Sequence, residues 1–335
     1  MNEKNERIVL DVAFQPQVRT ERDTRSLMHD VIIALLPVLA VGVWQFGTHP
    51  LLVVACSVAA CVFFEWGYRK LLHKEQSIGD LSAVVTGLLL GLSMPATAPA
   101  WIPVVGAFFA IVVVKQLYGG IGKNFLNPAL AGRAFLTASY ASTVTVVIVD
   151  GVSMATPLSY LYGDTPIPYT VGQSFLGAIP GSIGEISTLC ILAGAAYLII
   201  RKVIRWRIPL SVICTVAVIS FLGGHAGYGR VEWMLQNVFA GGVMFTAFFM
   251  ATDYSTSPVT QRGQIIYGCG IGALTMLIRY FGGFAEGCSY AILIMNLTTW
   301  AIDKACHRHQ FGVSKEDIAA EKAAKKAAKA KKEAV

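Results

Sequence analysis

At 335 residues, with 55% hydrophobic and only 14% charged, the chain cannot keep most of its surface in water, since soluble domains average about 25% charged residues. The formal net charge of +7 lies between apolar runs and in a Lys/Ala-rich tail, so it excludes a nucleic-acid partner and reads as a set of topology signals. Two soluble domains, the usual prior for this length, are excluded by apolar runs of bilayer thickness that recur along the whole sequence.

Residues 1–30 are polar and lack an apolar core before a small-residue cleavage site, so no cleavable signal peptide is expected and the first span itself directs insertion. Apolar segments then come at 31–47, 51–68, 81–98, 101–117, 128–149, 186–203, 208–224, 237–252, 264–281 and 284–302. Most approach the roughly 20 residues a spanning helix needs, and several are short or broken by Gly and Pro. The expected fold is an all-α polytopic membrane protein with about ten transmembrane helices. It comprises an N-terminal segment 1–30, a transmembrane domain 31–303 and a Lys/Ala-rich tail 304–335.

With the N-terminus in the cytoplasm, 24 of the 27 Lys and Arg residues fall on the inner side, leaving only Arg230, Arg279 and the intramembrane Arg133. That is the placement the positive-inside rule expects, giving N-in and C-in. Residues 134–200 hold no Lys or Arg, so the Gly/Pro-rich loop 150–185, with Asp150, Asp164 and Glu185, is expected on the extracytoplasmic side. Its length favours a functional role.

Span starts at 31, 51, 81, 101 and 128 are matched by 186, 208, 237, 264 and 284. The odd number in each set implies two inverted repeats, about 31–149 and 186–302. Gly87–Thr97 resembles Gly242–Thr252, and the third and eighth spans both end in irregular stretches, Pro95–Pro99 and Asp253–Pro258. Paired interruptions of this kind point to a site between the repeats.

Asn127 is placed to N-cap a helix beginning at Pro128. Arg133, a turn and a half further on, needs a carboxylate, phosphate or carbonyl partner within the membrane. Thr252, Asp253 and Thr256 are placed either to cap the broken eighth span or to coordinate a cation or cofactor. Asp30 and His29 mark the inner interface, and Lys115, Trp44 and Trp101 read as snorkelling or interfacial anchors. The seven cysteines show no CxxC spacing, so no metal or iron–sulfur site is expected from this chain alone.

After the fifth span, Asp150-Gly-Val-Ser-Met-Ala-Thr-Pro-Leu158 gives a turning backbone with an accessible hydroxyl. It resembles the flavinylation sequence S/T-G-A-T, with a preceding Asp, of the Rnf and Nqr membrane flavoproteins, Met154 standing where the motif has Gly. Asn124-Phe-Leu-Asn-Pro-Ala-Leu-Ala-Gly-Arg-Ala-Phe135 and Met250-Ala-Thr-Asp-Tyr-Ser-Thr-Ser-Pro258 resemble segments of the RnfD family, and the likeness covers about residues 20–303. The longer N-terminal extension typical of the related NqrB subunit is not found, which favours Rnf.

The resemblance implies a membrane subunit of an ion-translocating ferredoxin:NAD oxidoreductase. It implies FMN joined through its phosphate to Thr156 by a flavin transferase, with Asp150, Ser153 and Ala155 as the context that the transferase reads. Other Rnf subunits and the bilayer of a bacterial cytoplasmic membrane are the implied partners. A second, noncovalent flavin, or riboflavin, is implied by the likeness to NqrB; Asn124, Asn127 and Arg133 are candidate flavin contacts, and Thr252 and Asp253 a candidate second site. No complete activity and no catalytic residue are expected of the chain alone, and the coupling ion is Na+ or H+. An NqrB-like quinone reductase subunit is the alternative within the redox class. A channel or secondary transporter is the alternative outside it.

Overall fold

A computed structural model describes residues 23–145, 147–149, 152–154, 156–163, 168–224, 227–282 and 286–306. The expectations for residues 1–22, for Asp150, Asp164 and Ala155, and for the tail from 307 lie outside the described residues.

Helices α1 (Thr24–Phe46) and α2 (His49–Leu71) each run 23 residues, or about 34 Å, enough to cross the hydrocarbon core. Both, with α13 (Gln261–Phe281), are long and apolar enough to span a membrane on their own. Helix α3 (Ser82–Leu92) is buried along nearly its whole length and stops at a turn before Pro95. Helix α4 (Trp101–Gln116) starts as an α-helix and continues from Phe109 as a π-helix. Helix α5 (Pro128–Ser139) begins as the Asn-Pro pair predicts, with Asn127 Oδ1 accepting from the amides of Ala129 and Leu130.

The fifth apolar segment does not continue as a helix to 149. After a single turn, α6 (Ala141–Val144), the chain forms a hairpin of β1 (Val147–Val149) and β2 (Val152–Met154), paired antiparallel with Ile148 opposite Ser153. The run Thr143-Val-Thr-Val-Val-Ile-Val149 is β-branched throughout and is stiff at χ1 in a helix, which favours extended chain once the core-facing part of α5 has ended. Two short helices come next, α7 (Pro157–Leu161) and α8 (Val171–Leu176).

The second set holds α9 (Thr188–Ile200), α10 (Arg207–Gly223), α11 (Arg230–Phe239), α12 (Val243–Phe249), α13 and α14 (Cys288–Ala305). A break at Ala240–Gly242 separates α11 from α12, and Gly241 takes φ +78° there, which a side chain would resist. Each of the ten predicted segments therefore carries a helix, although several, α3, α5, α9 and α12 among them, are too short to cross a bilayer alone.

Packing repeats along the chain. Helix α2 lies on α3 and α4, as α10 lies on α12 and α13, while α3 meets α5 as α12 meets α14. Between the two sets, α1 packs on α9 and α5 on α14. Close approach rests on small residues, as in other membrane bundles. A Cβ on Gly87 of α3 would lie 2.6 Å from Val58 Cα of α2, and one on Gly272 of α13 would lie 2.9 Å from Val212 O of α10.

Outward-facing Trp44, Phe63, Leu222, Phe281 and Trp300 leave an apolar exterior suited to lipid. At the end where α1 begins, Lys70 lies over Trp66 at 4.6 Å and Lys304 over Trp300 at 4.9 Å, cation–aromatic anchors of an interface. The protein is a helical membrane protein.

Because backbone, not a flexible side chain, faces Gly87, Gly87→Val forces α3 off α2 and is expected to lower stability by about 1–3 kcal/mol. Gly67→Ala, at a helical position with nothing within 4 Å, is expected to be neutral or stabilising by up to about 1 kcal/mol. Thermal unfolding of the two variants in detergent checks the contrast.

Candidate functional site

Thr156 is half-buried and N-caps α7, its Oγ1 accepting from the Ser159 amide at 3.4 Å and lying 3.0 Å from Ser159 Oγ. Both partners belong to the same turn, so the hydroxyl is free of contacts with the helical bundle in the described hydrogen bonds. Ser153 lies on β2, two residues past the hairpin turn. Helix α7 is fixed by the residues after Thr156. Leu158 and Leu161 are fully buried with Trp233 and Ala240, and Tyr162, Tyr228 and Tyr280 pack around them.

Tyr162 donates to Asn237 Oδ1, and the Arg279 guanidinium donates to the Asn237 carbonyl at 2.7 Å. Burial pushes the Tyr162 phenol above its ordinary range, with nearby Arg279 opposing that rise. Arg279 is itself buried, its Nε has no hydrogen-bond partner among the described residues, and its Nη2 approaches the Gly241 turn beside Leu158. A buried, incompletely satisfied cation therefore lies directly under the helix that Thr156 caps.

At the opposite end of the bundle, where α1, α3 and α5 begin, a cavity of about 440 Å³ is lined by Asn124, Asn127, Thr252 and Asp253 together with Lys115 and Ser82. Such a volume suits a small cofactor. Four of the predicted site residues are thus brought together, and Arg133 is not among the lining. Asn127 also donates to the Met250 carbonyl at 3.0 Å, tying the start of α5 to the end of α12. Asp253 accepts from Ser255 and Thr256 and closes the turn after α12, while Thr252 bonds back to the Phe248 carbonyl at 2.7 Å. Thr252 thus satisfies a carbonyl of α12, Asp253 holds the turn that follows, and both line the cavity.

Lys115 is not a snorkelling residue. It is 2% exposed and donates to Glu65 Oε2 and to Ser82 Oγ, each at 2.6 Å, and Glu65 on α2 is fully buried. The π-helical turns of α4 displace the side-chain register so that Lys115 points inward to this carboxylate. Ser77 donates to the other Glu65 oxygen. Near the start of α1, Asp30 is buried and accepts from Tyr197 at 2.9 Å and from Arg201 at 3.3 Å, fastening α1 to α9.

Arg133 reaches the end of the bundle where α9 and α14 begin. It donates through Nη1 to Glu185 Oε1 at 2.7 Å and through Nη2 to Glu286 Oε2. The carboxylate partner that an intramembrane arginine requires is thus doubled, and the guanidinium is spent on it.

Residues 11–312 match the NQR2, RnfD, RnfE family. The chain belongs to this family. Within it, the chain is similar to the D subunit of the Na+-translocating ferredoxin:NAD+ oxidoreductase complex of Acetobacterium woodii, 47% identical over 94% of this chain and 98% of that one. It is 39% identical to the D subunit of the proton-translocating ferredoxin:NAD+ oxidoreductase complex of Clostridium ljungdahlii, over 91% of this chain and 96% of the relative. The D subunit of the ion-translocating oxidoreductase complex of Shewanella amazonensis is 37% identical over 87% of this chain and 95% of its own length. The names of the first two relatives divide between Na+ and proton translocation.

Of the buried charges, Glu65 and Lys115 give the cleanest test of structural pairing. Lys115→Met leaves a carboxylate buried without its cation and is expected to cost about 3–5 kcal/mol, whereas Glu65→Gln with Lys115→Met recovers most of that loss. Denaturant unfolding of the wild type, both single variants and the double variant measures the coupling.

Proposed function

We propose that the chain is the membrane D subunit of an ion-translocating ferredoxin:NAD oxidoreductase complex in a bacterial cytoplasmic membrane. In this reading it holds FMN through a phosphoester on Thr156 as an electron relay near the outer face. The observation that carries the proposal is the 47% identity to a subunit so named, over 94% of this chain. The Thr156 hydroxyl suits the acceptor role: half-exposed, bonded within its own turn among the described residues, and held by a helix anchored through Leu158 and Leu161.

When bound, the flavin would supply one-electron redox chemistry that no side chain of the protein offers. Thr156 supplies the tether. Leu158, Leu161 and Tyr162 hold that tether in register against Trp233 and Tyr280, and the buried Arg279 sets a positive potential beneath it. Other Rnf subunits exchange the electrons, and a flavin transferase makes the phosphoester bond.

For the cavity at the other end, a second, noncovalent flavin or riboflavin is the occupant we favour, with Asn124, Asn127, Thr252 and Asp253 supplying polar edges to the ring. Arg133 is assigned to its two carboxylates instead. The basic residues and aromatic anchors at the cavity end support the N-in orientation. The matched packing of α2, α3, α4 and α5 with α10, α12, α13 and α14 supports ten spans in a five-plus-five inverted repeat.

Co-expression with the transferase, followed by denaturing electrophoresis, tests the tether. The wild-type band is expected to fluoresce as flavin, Thr156→Val to be dark, and Thr156→Ser, which keeps a hydroxyl, to retain at least part of the signal. An undiminished Thr156→Val band refutes the assignment.

A further inference from the structure

Charge does not balance where Arg133 ends. One guanidinium faces two carboxylates, Glu185 and Glu286, so the three groups carry a net negative charge within the protein when all are ionised. Glu185 is 3% exposed, its Oε2 has no hydrogen-bond donor among the described residues, and Glu286 meets it on the same guanidinium. Two carboxylates gathered on one guanidinium repel, and a buried acceptor without a donor loses its solvation without replacement. A single proton placed between them removes both faults: it turns one oxygen into a donor and brings the net charge of the group to zero.

We propose that Glu185 and Glu286 form a proton-binding site that holds one exchangeable proton between their carboxyl groups beneath Arg133. The geometry also gives the proton a route. Glu286 has 28% of its side chain exposed whereas Glu185 has 3%, so exchange with water passes through Glu286. Uptake protonates the pair and makes no other bond; release returns the proton to water by the same path.

The surroundings close the inner side of the site. Glu185 Oε1 lies 2.7 Å from where a Gly242 Cβ would stand, so the start of α12 is packed directly against the carboxylate. From α14, Cys288 and Tyr290 face the group, Cys288 bonded to Thr246 at 3.0 Å. From α13, Arg279 lies beyond Cys288 at the adjoining Gly241 turn. Burial lifts the Glu185 carboxyl above the ordinary carboxylate range, Arg133 opposes that rise and Glu286 adds to it.

Arg133 comes from α5 and Glu286 from the segment before α14, which pack on each other, and Glu185 precedes α9. The protonation state therefore acts on the contact between the first and second sets of helices. The pair holds its proton whether or not Thr156 carries a flavin.

The test uses the full-length chain in lipid nanodiscs and infrared difference spectroscopy across a pH titration. Near pH 7, where an ordinary glutamate is ionised, the wild type is expected to show the carbonyl band of a protonated carboxylic acid. That band should be lost in both Glu185→Gln and Glu286→Gln, and be unchanged when sodium chloride replaces choline chloride. A stability series adds a second readout. A carboxyl whose value is raised by folding makes the protein lose stability as pH climbs above the ordinary carboxylate range, since the unfolded chain then releases a proton that the folded chain keeps. Glu185→Gln should flatten that slope. Absence of the band in the wild type, or its survival in both variants, overturns the proposal. Loss of the band on adding sodium overturns it as well, because the pair would then hold Na+ in place of the proton. Glu286→Gln, at the more exposed position, keeps the test decisive if Glu185→Gln does not fold.

Discussion

Within a bilayer no water is available to satisfy a broken helix or a stray charge, so every such group must find its partner inside the protein. The intramembrane Arg133 meets this constraint by reaching Glu185 and Glu286 at the end of the bundle. That contact joins α5 to the approaches of α9 and α14. Helix α5 has only 12 residues and α12 only 7, yet their ends are closed by the Asn127 cap, the bond from Asn127 to Met250 and the turn built on Asp253. Lys115 with Glu65, and Asp30 with Arg201, apply the same rule elsewhere.

That solution creates the features on which function would rest. A helix that stops halfway leaves space beyond its end, and the cavity lined by Asn127, Thr252 and Asp253 lies where α5 begins and α12 finishes. At the other end of the bundle, the early stop of α5 releases the chain into the hairpin and α7, which bring Thr156 to a half-exposed position above a buried arginine. In the proposed function these are two flavin-competent regions at opposite ends of one scaffold, an arrangement suited to moving electrons across the membrane.

Much of this is legible in the sequence. Ten apolar segments each hold a helix, the Asn127-Pro128 start is as expected, and Asp253 caps the turn after α12. The fifth segment reads as a full span because its Val/Ile/Thr run is as apolar as a spanning helix, and hydropathy does not separate the two conformations. Lys115 reads as a snorkelling residue only while Glu65, also inside an apolar segment, is left out of account. Two opposite charges at membrane depth in neighbouring spans are a pairing signal that charge counting alone passes over. Glu286 and Arg279 carry no local motif, and their roles arise only from the fold, which brings residues 133, 185 and 286 together.

The central claim is that the Thr156 hydroxyl and the cavity face opposite sides of the membrane, Thr156 outward. Right-side-out membrane vesicles bearing Thr156→Cys or Ser255→Cys, treated with a membrane-impermeant maleimide and corrected for the wild-type background, test it directly. Thr156→Cys is expected to be labelled in sealed vesicles and Ser255→Cys only after the membrane is opened. Labelling of Ser255→Cys in sealed vesicles, with Thr156→Cys protected, would contradict it.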